Sequence, residues 1–466
     1  MSATGTSSVH STEGSAAPVI EDGQWVLLLF SGGERRMLRA RRSAKMSAGG
    51  GKQQVLMDPL IGAPFGANFR IEPGGLMRDS RTVEQINGSV SDAVCAQPDA
   101  TNAELFDEGS SSKAQKLGEA DIRRLKEGGA HGADLVKAIA ANSATFAGKT
   151  AFAQDKYLRK KAKKHMPFLT VVRPTPLSIV DMYMNKAPDK VLSLRRDTLA
   201  LLLATSNVQP GSRALVVESL NGVLVGGVTA KLGGEGRVVA GVFGGKANLD
   251  GVQWLNLPDA QLATVHSCQL ADLLACLPRT ATGGDSSGSS REGDASCTTA
   301  ATTAGDAASA GSTAVEGTMA IEEAELTAGD ADSGGNGGGE GEGVAAAAVA
   351  AKAARKISIL RGDDLAAVVA EKFTSLLVAV RENPAVAIVD LLATLVPGSP
   401  FAIYHPCMPP LAECMHACQH ARAAVRVQLV ESWARPYQVA ENRTHPTMNA
   451  YPPTGYVLTG VSVAPP

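Results

Sequence analysis

The sequence predicts an α/β chain: a doubly wound parallel sheet, preceded by a small antiparallel β-barrel and a basic helical connector. Three observations carry this. Helix-type and strand-type runs alternate from residue 198 onward, and short β-type runs punctuated by Gly and Pro fill residues 19–78. Between them lies a helical stretch holding six bases and no acid from Lys156 to Lys164.

Residues 1–17 are rich in Ser, Thr, Gly and Ala and read as a disordered tail. Within 18–98, "QWVLLLF", "ERRMLRARR", "QQVLMD" and "ANFRIEP" are short strands at barrel spacing. "AGGGK" reads as a hairpin loop, because a phosphate-cradling loop needs Ser or Thr after its Lys and Lys52 is followed by Gln53. Residues 99–166 form the connector. "KLGEADIRRLKEGG" places Leu117, Ile122 and Leu125 at helical spacing; "GADLVKAIAANSATF" repeats the pattern with Leu135, Ile139 and Ala140, and the basic run follows. "PFLTVVRPTP" is a strand, since Pro174 and Pro176 bar helix continuation. It opens the α/β domain, expected over 167–278 and 357–466. There "DTLALLLATSNV" and "GVLVGGVTAKLGG" are helices, while "GSRALVVES" and "GRVVAGVF" are strands. Alternation resumes at "FTSLLVAV" and runs through "AVAIVDLLATLV", "PFAIYHP" and a helix near Glu413 to "AVRVQLVESW" and "GYVLTGVSV". Residues 279–356 are Gly, Ala, Ser, Thr and acid, too poor in apolar surface to offset ordering entropy. They read as a disordered insertion in one sheet.

The formal net charge of −2 averages two populations. Residues 280–343 carry twelve acids and one base, a net of −11, so the rest of the chain holds +9. A basic folded part points to a polyanion such as nucleic acid. No run of about twenty apolar residues exists to span a bilayer, and the polar N-terminus does not read as a secretory signal. Seven cysteines without framework spacing suggest reduced thiols in an intracellular protein.

Four stretches bear on chemistry. In "VVESLNGVLVGG" a strand ends in an acid and turns through Gly into a helix, the nucleotide-binding position of this fold. Class I methyltransferases place Glu/Asp-x-Gly-x-Gly-x-Gly there; here Glu218 and Gly222 match, but Leu220 and Leu224 fill the outer glycine slots. The second strand should end in an acid for ribose hydroxyls and offers Val242, Phe243 and Gly244 instead. The position therefore reads as a structural remnant, with no cofactor bound. "RENPAV" matches half of an Asp/Asn-Pro-Pro-aromatic motif through Asn383 and Pro384, and an Asn-Pro pair alone is a turn. "HPCMPPLAECMHACQH" crowds His and Cys into 405–420, yet on a helix Cys414 and Cys418 share one face while His416 and His420 point elsewhere. Helix packing is the expectation there, with no metal. In the basic run, Lys156, Lys160 and Lys163 or Lys164 line one side of a helix with Arg159 beside them. A solvated face or a nuclear-import signal would read similarly, but six bases without a balancing acid exceed what solubility requires, and phosphate contact is favoured. A second cluster, Arg35, Arg36, Arg39, Arg41, Arg42 and Lys45, lies on the expected barrel.

Taken together, "QKLGEADIRRLKEGGAHG", "NSATFAGKTAFAQDKYLRKKAKKH", "RRDTLALLLATSNVQPGSRALVVES" and "ESWARPYQVAENRTHP" resemble one family. It is the non-catalytic, tRNA-binding subunit of the eukaryotic tRNA (adenine-N1)-methyltransferase that modifies position 58. The run of Asn142, Ser143, Thr145, Phe146, Lys149, Thr150, Phe152, Gln154, Lys156 and Tyr157 is long and specific. The resemblance implies a degenerate class I methyltransferase (Rossmann-like) domain and a catalytic partner that binds S-adenosylmethionine. It also implies a heterotetramer of two plus two chains, tRNA as ligand and a nuclear location. It implies RNA contact by Lys156, Arg159, Lys160, Lys161, Lys163 and Lys164, then by Arg435, Arg443 and His445, which could equally serve an interface. An active methyltransferase with an unusual cofactor loop, or a general RNA-binding scaffold, remain as rivals at this stage.

Overall fold

A computed structural model describes residues 18–48, 53–72, 74–82, 85, 117–127, 132–143, 145–244, 248–277, 357–439, 444–447 and 455–464. The expected tail 1–17, the Gly-rich loop at 49–52 and the insertion 279–356 lie outside them.

The N-terminal domain holds strands β1 (Trp25–Phe30), β2 (Arg35–Arg39), β3 (Lys45–Ala48), β4 (Gln53–Leu56), β5 (Asn68–Glu72) and β6 (Gly75–Asp79). Helices α1 (Glu119–Glu127), α2 (Ala133–Ala141) and α3 (Ala151–His165) follow, then strand β7 (Phe168–Val172). A five-stranded antiparallel sheet runs β2-β1-β7-β5-β6. The β3–β4 hairpin packs over it, so Met46, Ala48 and Val55 share one core with Val26, Leu28, Phe69, Leu169 and Val171. The boundary expected at 167 is therefore corrected. The strand assigned to the second domain lies between β1 and β5 of the first. The reason is pairing: without β7, both neighbours would be left as open sheet edges.

The second domain adds helices α4 (Pro176–Lys186) and α5 (Arg196–Thr205), β8 (Arg213–Glu218), α6 (Val223–Leu232), β9 (Arg237–Val242), β10 (Val265–Gln269) and α7 (Leu270–Ala275). Then come β11 (Ser358–Ile359), α8 (Gly362–Ala370), β12 (Ser375–Ala379), α9 (Ile388–Ala393), β13 (Pro400–His405), α10 (Met408–His420) and β14 (Ala424–Glu431). The chain closes with β15 (Tyr437–Gln438), β16 (His445–Pro446) and β17 (Tyr456–Ser462). Eight strands form one sheet, β11-β10-β9-β8-β12-β13-β17-β14. The pairing is parallel except at β17, which runs antiparallel to both β13 and β14. β8 and β12, from either side of the insertion, are neighbours. Strand residues alternate between faces: Ala214 and Val216 pack under α4–α6, Leu215 and Val217 under α7–α10. Among the described residues no helix is long and apolar enough to cross a membrane.

The two domains meet at an aromatic junction. Trp25 lies 6.0 Å from Trp254, and Trp254 stacks on Tyr183 at 5.8 Å. Asn256, in a left-handed conformation that Asn tolerates, accepts from Trp25 N at 2.8 Å and donates to Trp25 O at 2.7 Å.

Candidate nucleic-acid interface and the nucleotide-binding position

The long motif before the basic run has a structural purpose. Thr150 caps α3 by accepting from Ala153 N. Buried Gln154 donates to the carbonyls of Ala147 and Lys149, pinning the preceding turn to the helix. Phe146 meets Tyr157 at 5.4 Å, and Leu158 and Ala162 bury against Val136, Ala140, Met166 and Phe168. One side of α3 is thus fully committed to packing. The other side exposes Lys156, Arg159, Lys160, Lys163 and Lys164.

These bases are not equivalent. Arg159 is ion-paired to Asp155 at 2.7 Å, one turn earlier and just outside the acid-free run. Lys161 is half-buried, with Nζ 5.3 Å from the centre of the Tyr157 ring. Burial, then Lys164 and Lys160, holds its pKa below the usual lysine value. Among the described residues Lys156, Lys160, Lys163 and Lys164 form no salt bridge, which leaves four unneutralised ammonium groups on one face.

The second basic cluster divides. Arg36 binds Glu34 and the Ser47 carbonyl, and Arg39 binds the Gly23 carbonyl. Arg35 pairs with Asp181 of the second domain. Arg41, Arg42 and Lys45 are exposed. Of the C-terminal candidates, Arg443 lies outside the described residues. Exposed Arg435 sits on a segment tied to the start of α5: Ser432 Oγ lies 2.6 Å from Thr198 Oγ1, and Arg195 donates to the Ala434 carbonyl, while exposed His445 pairs with Gln438 across β15 and β16. The intervening Trp433 is 75% exposed, an aromatic the sequence reading passed over.

At the nucleotide-binding position, β8 ends in Glu218, whose two carboxylate oxygens accept from Leu224 N at 3.2 Å and Val225 N at 2.8 Å. Burial raises this carboxyl to about 7 against the opposing pull of those N–H groups. Leu220 and Leu224 are fully buried in the core beneath α4–α6. Gly222, at φ +80°, is held so close that a Cβ would stand 2.6 Å from Leu249 Cα. β9 runs out into Phe243, 42% exposed, where a ribose-binding acid would stand. These residues do not fit S-adenosylmethionine. The loop that should present bare backbone to it is filled by leucines, and Glu218 is occupied by its own helix. Asn383 is engaged too, donating to Glu413 at 2.6 Å and accepting from Ala385 N.

Of the Cys/His stretch, residues 408–420 are helix α10, while His405 ends β13. Cys414 and Cys418 pack in the core beneath α7–α10, and burial pushes their thiols up to about 12 and about 11, away from the thiolate a metal requires. His416 and His420 are exposed on the other side.

The sequence profile of the Gcd10p family matches residues 19–300. The chain is 27% identical over 426 residues to the tRNA (adenine(58)-N(1))-methyltransferase non-catalytic subunit TRM6 of Mus musculus, covering 88% of this chain and 82% of that one. It is 25% identical over 458 residues to the protein of the same name from Dictyostelium discoideum, covering 96% and 80%. Among solved structures it is similar to an S-adenosylmethionine-dependent O-methyltransferase from Thermotoga maritima, with a TM-score of 0.46 and 11% identity over 97% of each chain.

Proposed function

The chain belongs to the Gcd10p family, and on that premise we propose that it is the non-catalytic, tRNA-binding subunit of the complex that forms N1-methyladenosine at position 58 of tRNA. The observation that carries the non-catalytic half is the nucleotide-binding position, where Leu220 and Leu224 are core residues and Glu218 caps α6. Cofactor and chemistry belong to a catalytic partner subunit, two copies of each chain forming the assembly, in the nucleus.

This chain's part is positioning. The lysine face of α3 meets the phosphate backbone, fixing the substrate's placement without reading bases. Structured RNA is recognised chiefly by shape and backbone, which suits a face made mainly of lysines. Arg435, on its separate segment, is a second contact or part of the subunit interface.

The test is methyl transfer to unmodified tRNA by this chain alone and mixed with its catalytic partner from the same organism. Activity only in the mixture is expected. Activity from the lone chain, or saturable S-adenosylmethionine binding by it, would mean that the leucine-filled loop still opens to the cofactor.

A further inference from the structure

Two arginines from different domains converge on one carboxylate. Arg35 Nη1 lies 3.3 Å from Asp181 Oδ2, and Arg196 Nη1 lies 3.2 Å from the same oxygen. Arg35 comes from β2 of the N-terminal domain, while Asp181 and Arg196 belong to α4 and α5 of the second. We infer that Arg35 and Arg196, oriented by Asp181, form a phosphate-binding site at the domain junction that extends the lysine face of α3. The inference rests on the tRNA-binding reading above.

Charge and donor count support it. Two guanidiniums and one carboxylate leave a net +1, and each guanidinium has five N–H donors in a rigid fork. Asp181 takes one contact from each, so both retain free donors. Access is adequate: the Arg196 side chain is 60% exposed and that of Arg35 35%, over a mostly buried Asp181. This is the geometry of an acid positioning two bases for a third group.

Continuity with α3 is the second support. Arg35 follows the β1–β2 turn, and Lys163 Nζ lies 3.9 Å from where a Cβ on Gly33 of that turn would stand. Lys163 therefore sits beside the turn that leads into Arg35, a turn whose own acid, Glu34, is paired with Arg36.

A purely structural clasp explains less. The junction is already closed by Trp25, Trp254 and Tyr183, by the paired hydrogen bonds of Asn256, and by Met37, Leu29 and Val172 packed on the second domain's core. Exposed ion pairs add little to such a contact, and a clasp needs one arginine, not two.

The experiment measures unmodified tRNA binding by the full chain at several salt concentrations, beside thermal unfolding. Arg35→Gln with Arg196→Gln should weaken binding roughly tenfold near physiological salt and reduce the salt slope by about 1.5. Arg196→Gln alone, the more exposed of the pair, should reduce the slope by about 0.8. An unchanged slope in the double variant, while alanines at Lys156, Lys160, Lys163 and Lys164 flatten it, would overturn this site and leave the tRNA reading standing. If neither set changes the slope, the tRNA reading itself fails. Should the double variant not fold, an unchanged slope in Arg196→Gln overturns the site alone.

Discussion

Replacing Lys156, Lys160, Lys163 and Lys164 together with Ala tests whether α3 is a phosphate-binding face. The four are exposed and unpaired by any carboxylate among the described residues. Each lysine that neutralises one phosphate contributes about 0.7–0.9 to the slope of log K against log salt, so four contribute about 3. Counterion release vanishes near 1 M salt; extrapolated to about 0.15 M, a slope of 3 is a loss of two to three orders of magnitude, or about 3–4 kcal/mol. Folding should change by no more than about 1 kcal/mol. Ala is the best helix former, which offsets the favourable placement of Lys163 and Lys164 in the last turn. Lys161→Ala is the contrast: it removes a side chain resting on Tyr157 and should lower thermal stability while barely moving the slope. The assay is tRNA binding by filter retention or anisotropy over a salt series, with melting curves alongside. An unaltered slope in the quadruple variant refutes the reasoning, whatever happens to affinity at one salt concentration.

Leu224→Ala should destabilise the chain by about 2–5 kcal/mol, the cost of a cavity at a fully buried leucine, without giving saturable S-adenosylmethionine binding; a loss below about 1 kcal/mol by urea unfolding would show that the loop is not core. Glu218 should make stability fall as pH rises. Its folded carboxyl sits at about 7 against 4.5 in an open chain, so the folded state holds the extra proton between those values. The contribution is therefore most favourable below about pH 4.5 and declines towards pH 7, by at most about 3 kcal/mol. Glu218→Gln should flatten that decline, and an identical pH profile in the variant would count against the buried-carboxyl reading. Deleting residues 283–343 should leave folding and tRNA binding intact, because β10 and β11 pair directly across the insertion and His266 bonds Ser358; a shifted melting temperature would show that the segment is structural.

Much of this was legible in the sequence because it was local. The apolar runs at 213–218 and 237–242 and the glycine-closed helix at 223–232 announce themselves by composition, and Glu218, Leu220 and Leu224 could be compared slot by slot with a glycine-rich loop. What escaped was non-local. Nothing in "PFLTVVRPTP" says that this strand returns to a sheet begun at Trp25, since strand pairing is decided by partners far along the chain. Nor does "GYVLTGVSV" carry a direction, although it lies antiparallel between β13 and β14. In the basic run, counting charges overstated the free ones. Arg159 is paired to Asp155, a neighbour whose i,i+4 spacing was visible, and Lys161 is drawn under by Tyr157. The convergence of Arg35 and Arg196 on Asp181 had no signal at all, because it needs both domains in place.

The lost chemistry and the retained fold are connected by one cluster of side chains. Leu220 and Leu224 belong to the same buried core as Val216, Tyr183, Trp254 and Leu27. Leu27 is a residue of β1, in the other domain, and β1 pairs directly with β7, the strand that follows α3. Filling the glycine slots therefore adds apolar contact to the core against which the N-terminal domain is docked. An open cofactor cleft would have left that core thinner on the side nearest the junction. On the proposed reading, in which this subunit holds a lysine face for tRNA beside a catalytic partner, rigidity at the junction is worth more than a second cofactor pocket. On that reading the leucines serve RNA positioning through the core they share with Trp254 and Leu27 of β1, and not through any contact with RNA.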